Sequence, residues 1–181
     1  MKESGQHIAR AIVVMGVSGI GKSTLAEALA ARLGYMFVEG DAVHPAANIA
    51  KMSAGVALTD EDRWPWLDAL AVLLADGARA GGVVLSCSAL RRCYRDRLAA
   101  GTVTVFVHPV LERADLEVRL SAREGHFMPA SLLDSQLATL EAPDAREEAV
   151  CTVDAAYPTA VQVEHVLAGL AGLAAPADRL H

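Results

Sequence analysis

One stretch constrains the fold of this chain more than any other: Gly16-Val17-Ser18-Gly19-Ile20-Gly21-Lys22-Ser23-Thr24. An apolar run, 11–15, precedes it, and a segment of good helix formers, 25–33, follows it. The pattern G-x-x-x-x-G-K-[ST] between a strand and a helix is typical of a loop whose backbone amides surround a phosphate. The correct flanks make a glycine-rich turn without a ligand the weaker alternative. The stretch therefore predicts a site for a nucleoside triphosphate.

The residues of this loop have separate predicted roles. Its glycines allow positive φ and close approach to a ligand, and the following helix N-terminus adds partial positive charge. Lys22 supplies a cation for the β- and γ-phosphates, and the hydroxyl of Ser23 is placed to ligate Mg²⁺. The other predicted nucleotide contacts are Gly16, Ser18, Gly19, Ile20, Gly21 and Thr24.

Composition excludes several classes of protein. A chain of 181 residues is long enough for one α/β domain, and no apolar run reaches the length of a membrane span. The net charge of −6 disfavours a general nucleic-acid binder. Three cysteines without a C-x-x-C pair, and a polar segment 1–10 without a signal-peptide core, favour a cytoplasmic setting. We expect neither a membrane nor a nucleic acid as partner.

Five apolar segments alternate with segments of helical pattern. The predicted strands are 10–15, 35–38, 83–87, 102–107 and 150–154, and the helices include 45–54, 61–80, 111–123, 130–140 and 159–172. This alternation predicts a buried parallel sheet with helices on both faces and ligands at the carboxyl ends of the strands. We expect one domain over 1–181, with flexible tails at 1–9 and 174–181.

Polar residues just beyond the strands are candidates for the chemistry. Asp41 follows the second strand and could accept a proton from a hydroxyl or orient it, although it could instead cap the helix near Pro45. His44 could bind substrate or make a structural hydrogen bond. Arg63 could clamp a substrate carboxylate or form a solvated surface pair. The two tryptophans that flank Pro65 favour packing over ligand contact.

Arginines form two further groups of candidates. Arg91, Arg92, Arg95 and Arg97 span two helix faces, and the pattern leaves open which of them faces the cleft. Arg119 and Arg123 share one helix face before Gly125, at the base of a predicted lid over roughly 123–140. There they would stabilise transition-state charge when the lid closes. The alternative is that they pair with neighbouring glutamates on an exposed helix.

Several blocks together resemble the gluconate kinases, small P-loop kinases related to shikimate and adenylate kinases. The blocks run in family order across 16–143, and those outside the phosphate loop narrow the resemblance to this family. They are Glu39-Gly40-Asp41 with His44-Pro45 and Asn48, Lys51-Met52 with Gly55, Leu58-Thr59-Asp60-Glu61-Asp62-Arg63-Trp64-Pro65-Trp66-Leu67, Cys87-Ser88-Ala89-Leu90 through Tyr94-Arg95-Asp96, Gly125-His126-Phe127-Met128-Pro129, and Ser135-Gln136 with Leu140-Glu141 and Pro143.

The resemblance implies a three-layer P-loop kinase fold with strand order 2-3-1-4-5. It implies ATP-dependent phosphorylation of D-gluconate at the 6-hydroxyl, with Mg²⁺, by a cytoplasmic homodimer. The catalytic residues would be Lys22, Asp41, Arg119 and Arg123. The substrate would be bound by Asp41, His44, Lys51, Arg63, Ser88, Arg91, Arg95, His126 and Gln136. By analogy of fold, the loop after Asp154 would border the adenine.

Two alternatives to this function stay open from the sequence. One is a P-loop kinase of another small hydroxy acid such as shikimate, which would differ only in the side chains of the cleft. The other is a nucleotide-dependent switch without an acceptor. The switch is disfavoured because the chain lacks an N-K-x-D motif and its third strand ends in Cys87-Ser88 rather than in an aspartate.

Overall fold

Five short strands form one parallel sheet in the order β2-β3-β1-β4-β5. This computed structural model describes residues 9–122, 130–146 and 148–173, so the predicted tails and the first part of the predicted lid lie outside the described residues. The strand order confirms the predicted fold. The strands are β1 (Ala11–Val14), β2 (Met36–Glu39), β3 (Val83–Ser86), β4 (Thr104–Val110) and β5 (Val150–Asp154).

Helices connect the strands at nearly the predicted positions. They are α1 (Lys22–Leu33), α2 (Ala46–Ser53), α3 (Asp60–Ala80), α4 (Arg92–Ala99), α5 (Arg113–Ser121), α6 (Ala130–Thr139) and α7 (Thr159–Gly172), with a 3-10 turn at Gly40–Val43. Thr59 caps α3 in a capping box with Asp62. No helix in the described part of the chain is long and apolar enough to cross a membrane.

The fourth strand is longer at its carboxyl end than its apolar pattern predicts: it continues through Pro109 to Val110. Strand β1 ends opposite Val107, so the residues beyond it pair with β5 alone. Proline lacks a backbone donor and is tolerated where one side of a strand is unpaired. The extension carries the carboxyl end of β4 past that of β1 and places the following loop beside the phosphate loop.

The core lies on both faces of the sheet. All four residues of β1 are buried, and they alternate between the two sides. On one face Ala11 and Val13 pack with Trp66, Leu67, Leu70 and Leu74 of α3. On the other, Ile12 and Val14 pack with residues of α1 and α7 that include Leu25, Leu29, Val163 and Val166. The three layers fix the carboxyl edge of the sheet, where the predicted site lies.

Candidate active site

The phosphate loop joins the buried end of β1 to the N-terminus of α1. Three of its residues, Gly16, Gly19 and Gly21, have φ of 126°, 81° and 98°. At Gly19 a side chain would overlap Leu120 of α5, so the loop packs closely against that helix. Lys22 Nζ donates to the carbonyl oxygen of Val17 at 3.0 Å and so curls back over the loop. The first turn of α1 leaves Ser23 and Thr24 exposed beside the loop amides.

A glutamine of α6 binds this loop directly. The backbone amide of Ser18 donates to Gln136 Oε1 at 2.7 Å, and Gln136 Nε2 donates to Ser18 Oγ at 3.1 Å. The contact joins residues 118 positions apart in the sequence. Gln136, which the resemblance implies as a substrate ligand, therefore borders the phosphate loop and ties α6 to it.

The carboxyl ends of β2 and β3 are held together by a small polar network. The Ser86 hydroxyl donates to Glu39, and Trp66 Nε1 donates to the carbonyl oxygen of Gly40 at 2.9 Å. A side chain at position 40 would overlap the carbonyl oxygen of Ser86, so only glycine fits there. These contacts set the 3-10 turn and leave Asp41 exposed just beyond β2.

The charges of three predicted site residues act on a buried thiol at the end of β3. The Cys87 thiol is fully buried there, and burial raises its pKa to about 12. The Asp41 carboxylate raises this pKa further, while Lys22 and Arg63 lower it. The cation of the phosphate loop, the candidate base and the candidate carboxylate clamp are therefore all within electrostatic range of this thiol.

His44 belongs to the same group. Its ring stacks on Trp66 with 4.0 Å between ring centroids and an interplanar angle of 15°. Burial lowers the pKa of His44; the Asp41 carboxylate opposes this shift and Arg63 adds to it. The imidazole is therefore held neutral, with Asp41 and Arg63 acting on it in opposite directions.

Arg63 and Arg91 meet at Tyr94, a residue to which the sequence assigned no role. Their guanidinium carbons lie 5.7 and 5.8 Å from the centre of the tyrosine ring. Arg91 Nη1 donates to Asp60 Oδ2 at 2.7 Å, and the Tyr94 hydroxyl donates to Asp60 Oδ1. The Tyr94 hydrogen bond, aided by the arginines, lowers the pKa of Asp60. Two half-buried arginines next to one aromatic ring form a region suited to a carboxylate.

Arg95 has a different environment from Arg91. Its side chain is 1% exposed and forms two hydrogen bonds to Glu148, at 2.6 and 3.0 Å. Nη1 also donates to the carbonyl oxygens of Ala89 and Leu90, which follow β3. Ala89 has a φ of 43°, uncommon for a residue other than glycine. This placement gives Arg95 a structural role rather than the predicted role of a substrate ligand.

The remaining members of the predicted set are also engaged. Lys51 Nζ binds both carboxylate oxygens of Asp62, at 2.6 and 2.8 Å, and so ties α2 to the start of α3. The carbonyl oxygen of Ser88 accepts from the amide of Gly16 at 3.1 Å, which joins the end of β3 to the phosphate loop. Arg97 pairs with Asp68 and lies over Trp64. Arg123 and His126 lie outside the described residues.

A cavity of about 370 Å³ adjoins the phosphate loop. Arg119 forms part of its wall and donates to the carbonyl oxygen of Ala155 at 2.6 Å. Gln162 Nε2 donates to the carbonyl oxygen of Tyr157 at 2.7 Å and holds the loop after β5 in place. Arg119 thus borders the loop predicted to edge the base. The other lining residues are Ile20, Gly21, Thr24, Leu25, Ala156, Pro158 and Thr159.

A parallel sheet of this order, with a phosphate loop after its central strand, defines the chain as a P-loop kinase. The family profile described as an AAA domain matches residues 12–143. A gluconokinase from Gluconobacter oxydans is 52% identical over 157 residues, covering 86% of this chain and 88% of that protein.

Solved structures agree. A gluconokinase from Sinorhizobium meliloti is 51% identical and superposes with a TM-score of 0.84, over 92% of this chain and 94% of that one. Shikimate kinase from Aquifex aeolicus is 16% identical with a TM-score of 0.51 over 89% of this chain and 96% of that one, and it shares the fold alone. The chain belongs to the gluconokinase family.

Proposed function

We propose that this protein is a gluconokinase, which transfers the γ-phosphate of ATP to the 6-hydroxyl of D-gluconate and releases ADP and 6-phosphogluconate. The observation that carries the proposal is the 52% identity with a gluconokinase over 86% of this chain. Lys22 follows β1 and Asp41 follows β2, so a cation for the phosphates and a carboxylate for the hydroxyl lie at the carboxyl edge of the sheet.

Phosphoryl transfer depends mainly on positioning and charge stabilisation. The loop amides would hold the β- and γ-phosphates, and Lys22 would leave the carbonyl oxygen of Val17 to follow the transferring charge. Asp41 is exposed just beyond β2, where it would orient the 6-hydroxyl for attack and accept its proton. The Ser18–Gln136 contact would hold the wall of the loop beside the γ-phosphate.

The acid end of the substrate would lie between Arg63 and Arg91. A carboxylate accepts paired hydrogen bonds from a guanidinium, and the two guanidinium carbons lie 5.7 and 5.8 Å from the centre of the Tyr94 ring. His44 would bind a hydroxyl along the chain of the sugar acid. The incoming carboxylate would repel Asp60 and take its place as the partner of Arg91. Arg91 would then turn toward the substrate.

The nucleotide base would occupy the cavity beside Arg119. This assigns Arg119 to nucleotide binding, with Arg123 left as the candidate for transition-state charge. In the described residues no group of three or more His, Cys, Asp or Glu side chains could hold a metal. Ser23 fits a cation that arrives with ATP, because a hydroxyl and phosphate oxygens are hard ligands that suit Mg²⁺. The bound ion would neutralise charge on the β- and γ-phosphates.

We further propose a single catalytic domain whose lid over roughly 123–140 closes with Arg123 and His126, and a cytoplasmic homodimer. The family resemblance supports these features. Sedimentation of the purified protein tests the dimer, and a single species of monomer mass would exclude it.

The experiment that tests the proposed function is ADP release from MgATP with D-gluconate, compared with shikimate, glucose, gluconate epimers and AMP. We expect turnover with gluconate alone and its loss in Lys22→Ala and Asp41→Asn. Turnover with another acceptor would keep the phosphate site and discard the substrate. ATP binding without turnover on any acceptor would favour the nucleotide-dependent switch.

A further inference from the structure

Asn48, on the buried face of α2, contacts the edge of the His44 ring. Its Nδ2 lies 2.8 Å from the carbonyl oxygen of Asp62 and 3.3 Å from His44 Nδ1. The residue is 4% exposed, so both contacts are shielded from water. Asn48, the only asparagine of the chain, therefore lies between the imidazole and the first turn of α3.

The two contacts determine which atom carries each proton. A carbonyl oxygen only accepts hydrogen bonds, so the Asn48 atom that faces Asp62 is the amide nitrogen. That nitrogen has a second hydrogen, which points at His44. Nδ1 must then be the acceptor, and in a neutral ring the proton lies on Nε2.

The surroundings of His44 favour the neutral ring. The charged groups that face it are Asp41, from the 3-10 turn, and Arg63, from α3; Trp66 covers one ring face. Burial lowers the pKa of His44, and Arg63 acts in the same direction against Asp41. The geometry and the electrostatics thus select one form, neutral with hydrogen on Nε2.

The Nε2 atom of His44 is not sealed from solvent. Throughout 9–122, 130–146 and 148–173, every buried side-chain nitrogen or oxygen has a hydrogen-bond partner. Within those same residues Nε2 of His44 has none, so it must reach solvent. The His44 ring is within electrostatic range of Asp41 and Arg63.

We propose that Asn48 is a positioning residue that keeps His44 in the Nε2-protonated form, so that the ring presents a hydrogen-bond donor to a hydroxyl or carboxylate oxygen of the substrate. The proposal rests on the proposed function for the identity of that substrate. It assigns specificity to a residue that does not touch the substrate. It also predicts that an apolar residue of the same branched shape at position 48 allows the polarity of Nε2 to reverse.

Asn48→Leu permits that reversal. A leucine of the same branched shape offers Nδ1 no donor, so the neutral ring is free to carry its proton on Nδ1 and to turn the lone pair of Nε2 toward the substrate. We expect the KM for gluconate to rise about tenfold, as for one unsatisfied hydrogen bond, while the KM for ATP stays unchanged. The control is Arg79→Ala, which removes an exposed pair with Asp76 near the other end of α3 and should leave both KM values unchanged.

A double substitution separates positioning from general loosening. In His44→Gln the side-chain amide supplies a donor that has no tautomer to select. We therefore expect Asn48→Leu to add little to the KM of His44→Gln. A further tenfold rise in that background would mean that Asn48 acts only through the packing of α2, and would overturn the proposal.

The proton position can be measured without any activity. Long-range ¹H–¹⁵N NMR spectra of the wild-type protein, assigned by the loss of signals in His44→Gln, should show a protonated Nε2 and a bare Nδ1 at neutral pH. A protonated Nδ1 would overturn the proposal even if gluconate is the substrate. Failure of the wild-type protein to phosphorylate gluconate would instead overturn the proposed function, because the NMR result does not depend on it.

Discussion

At the scale of single residues, the acceptor side of the site is built from shared rather than isolated charges. Asp60 accepts from both Arg91 and Tyr94, and Arg63 lies near the same tyrosine ring. Such a group can exchange one carboxylate for another at small cost, because the guanidinium of Arg91 keeps a partner throughout. Arg91 therefore suits binding and release better than the enclosed Arg95.

Replacing Arg91 tests this distinction. Arg91→Ala should raise the KM for gluconate by about ten- to hundredfold, the effect of losing a hydrogen bond between charged groups, with little change in the KM for ATP. Arg97→Ala is the control, because Arg97 lies on the same helix but pairs with Asp68 at the surface. Steady-state kinetics with each substrate varied decide the matter. Equal effects of the two substitutions would contradict the assignment of Arg91.

At the scale of elements, buried ion pairing positions the segment between β3 and α4. Arg95 reaches back from α4 to the carbonyl oxygens of Ala89 and Leu90, and Glu148 neutralises it from the loop before β5. The segment carries Arg91 at its end. The pair thus sets where the carboxylate site begins, although neither member faces the substrate.

Breaking this pair should be costly. Glu148→Ala leaves a buried guanidinium without its charge partner, and we expect a loss of about 3–5 kcal/mol in the free energy of unfolding. Glu117→Ala removes an exposed pair with Arg113 and should cost less than about 1 kcal/mol. Urea unfolding of the three proteins at neutral pH measures both. A small loss for Glu148→Ala would show that the loop keeps its position without the pair.

Helix α3 approaches the sheet through Gly77. An added methyl group there would lie 2.6 Å from Val83 Cβ, in the buried first residue of β3. We expect Gly77→Ala to destabilise the fold by about 1–3 kcal/mol through overpacking. Gly172→Ala, in α7, meets nothing within 4 Å and should be neutral or stabilising by up to about 1 kcal/mol. Thermal unfolding compares the two, and equal midpoints would contradict the close approach.

At the scale of the whole molecule, buried histidines make stability depend on pH. Burial lowers the pKa of both His44 and His108, and Arg95 lowers that of His108 further. The unfolded chain therefore binds more protons than the folded one just below the usual pKa of about 6.5. The free energy of unfolding should thus fall as the pH drops through and below that value.

Urea unfolding at pH 7.5 and pH 5.5 measures this dependence. We expect lower stability at pH 5.5 and a weaker pH dependence in His108→Gln, whose amide does not titrate. The exposed carboxylates Asp60 and Asp62, whose pKa values are lowered by their hydrogen-bond partners, act in a separate and more acidic window. A wild-type protein equally stable at both pH values would contradict the expected effect of the histidines.

The sequence by itself determined the fold, since the phosphate loop has local signals and the strands are apolar runs that alternate with helices. Only the tertiary structure decided the partners of the site residues. Arg91 and Arg95 are one helical turn apart in number and would share a face if both were helical. Arg91, however, precedes α4 with extended φ and ψ of −102° and 150°, so helical periodicity does not set its direction. Likewise, Arg95 meets Glu148 and Ser18 meets Gln136 across 53 and 118 residues. Such contacts depend on how separate elements pack, and no local pattern of residues encodes them.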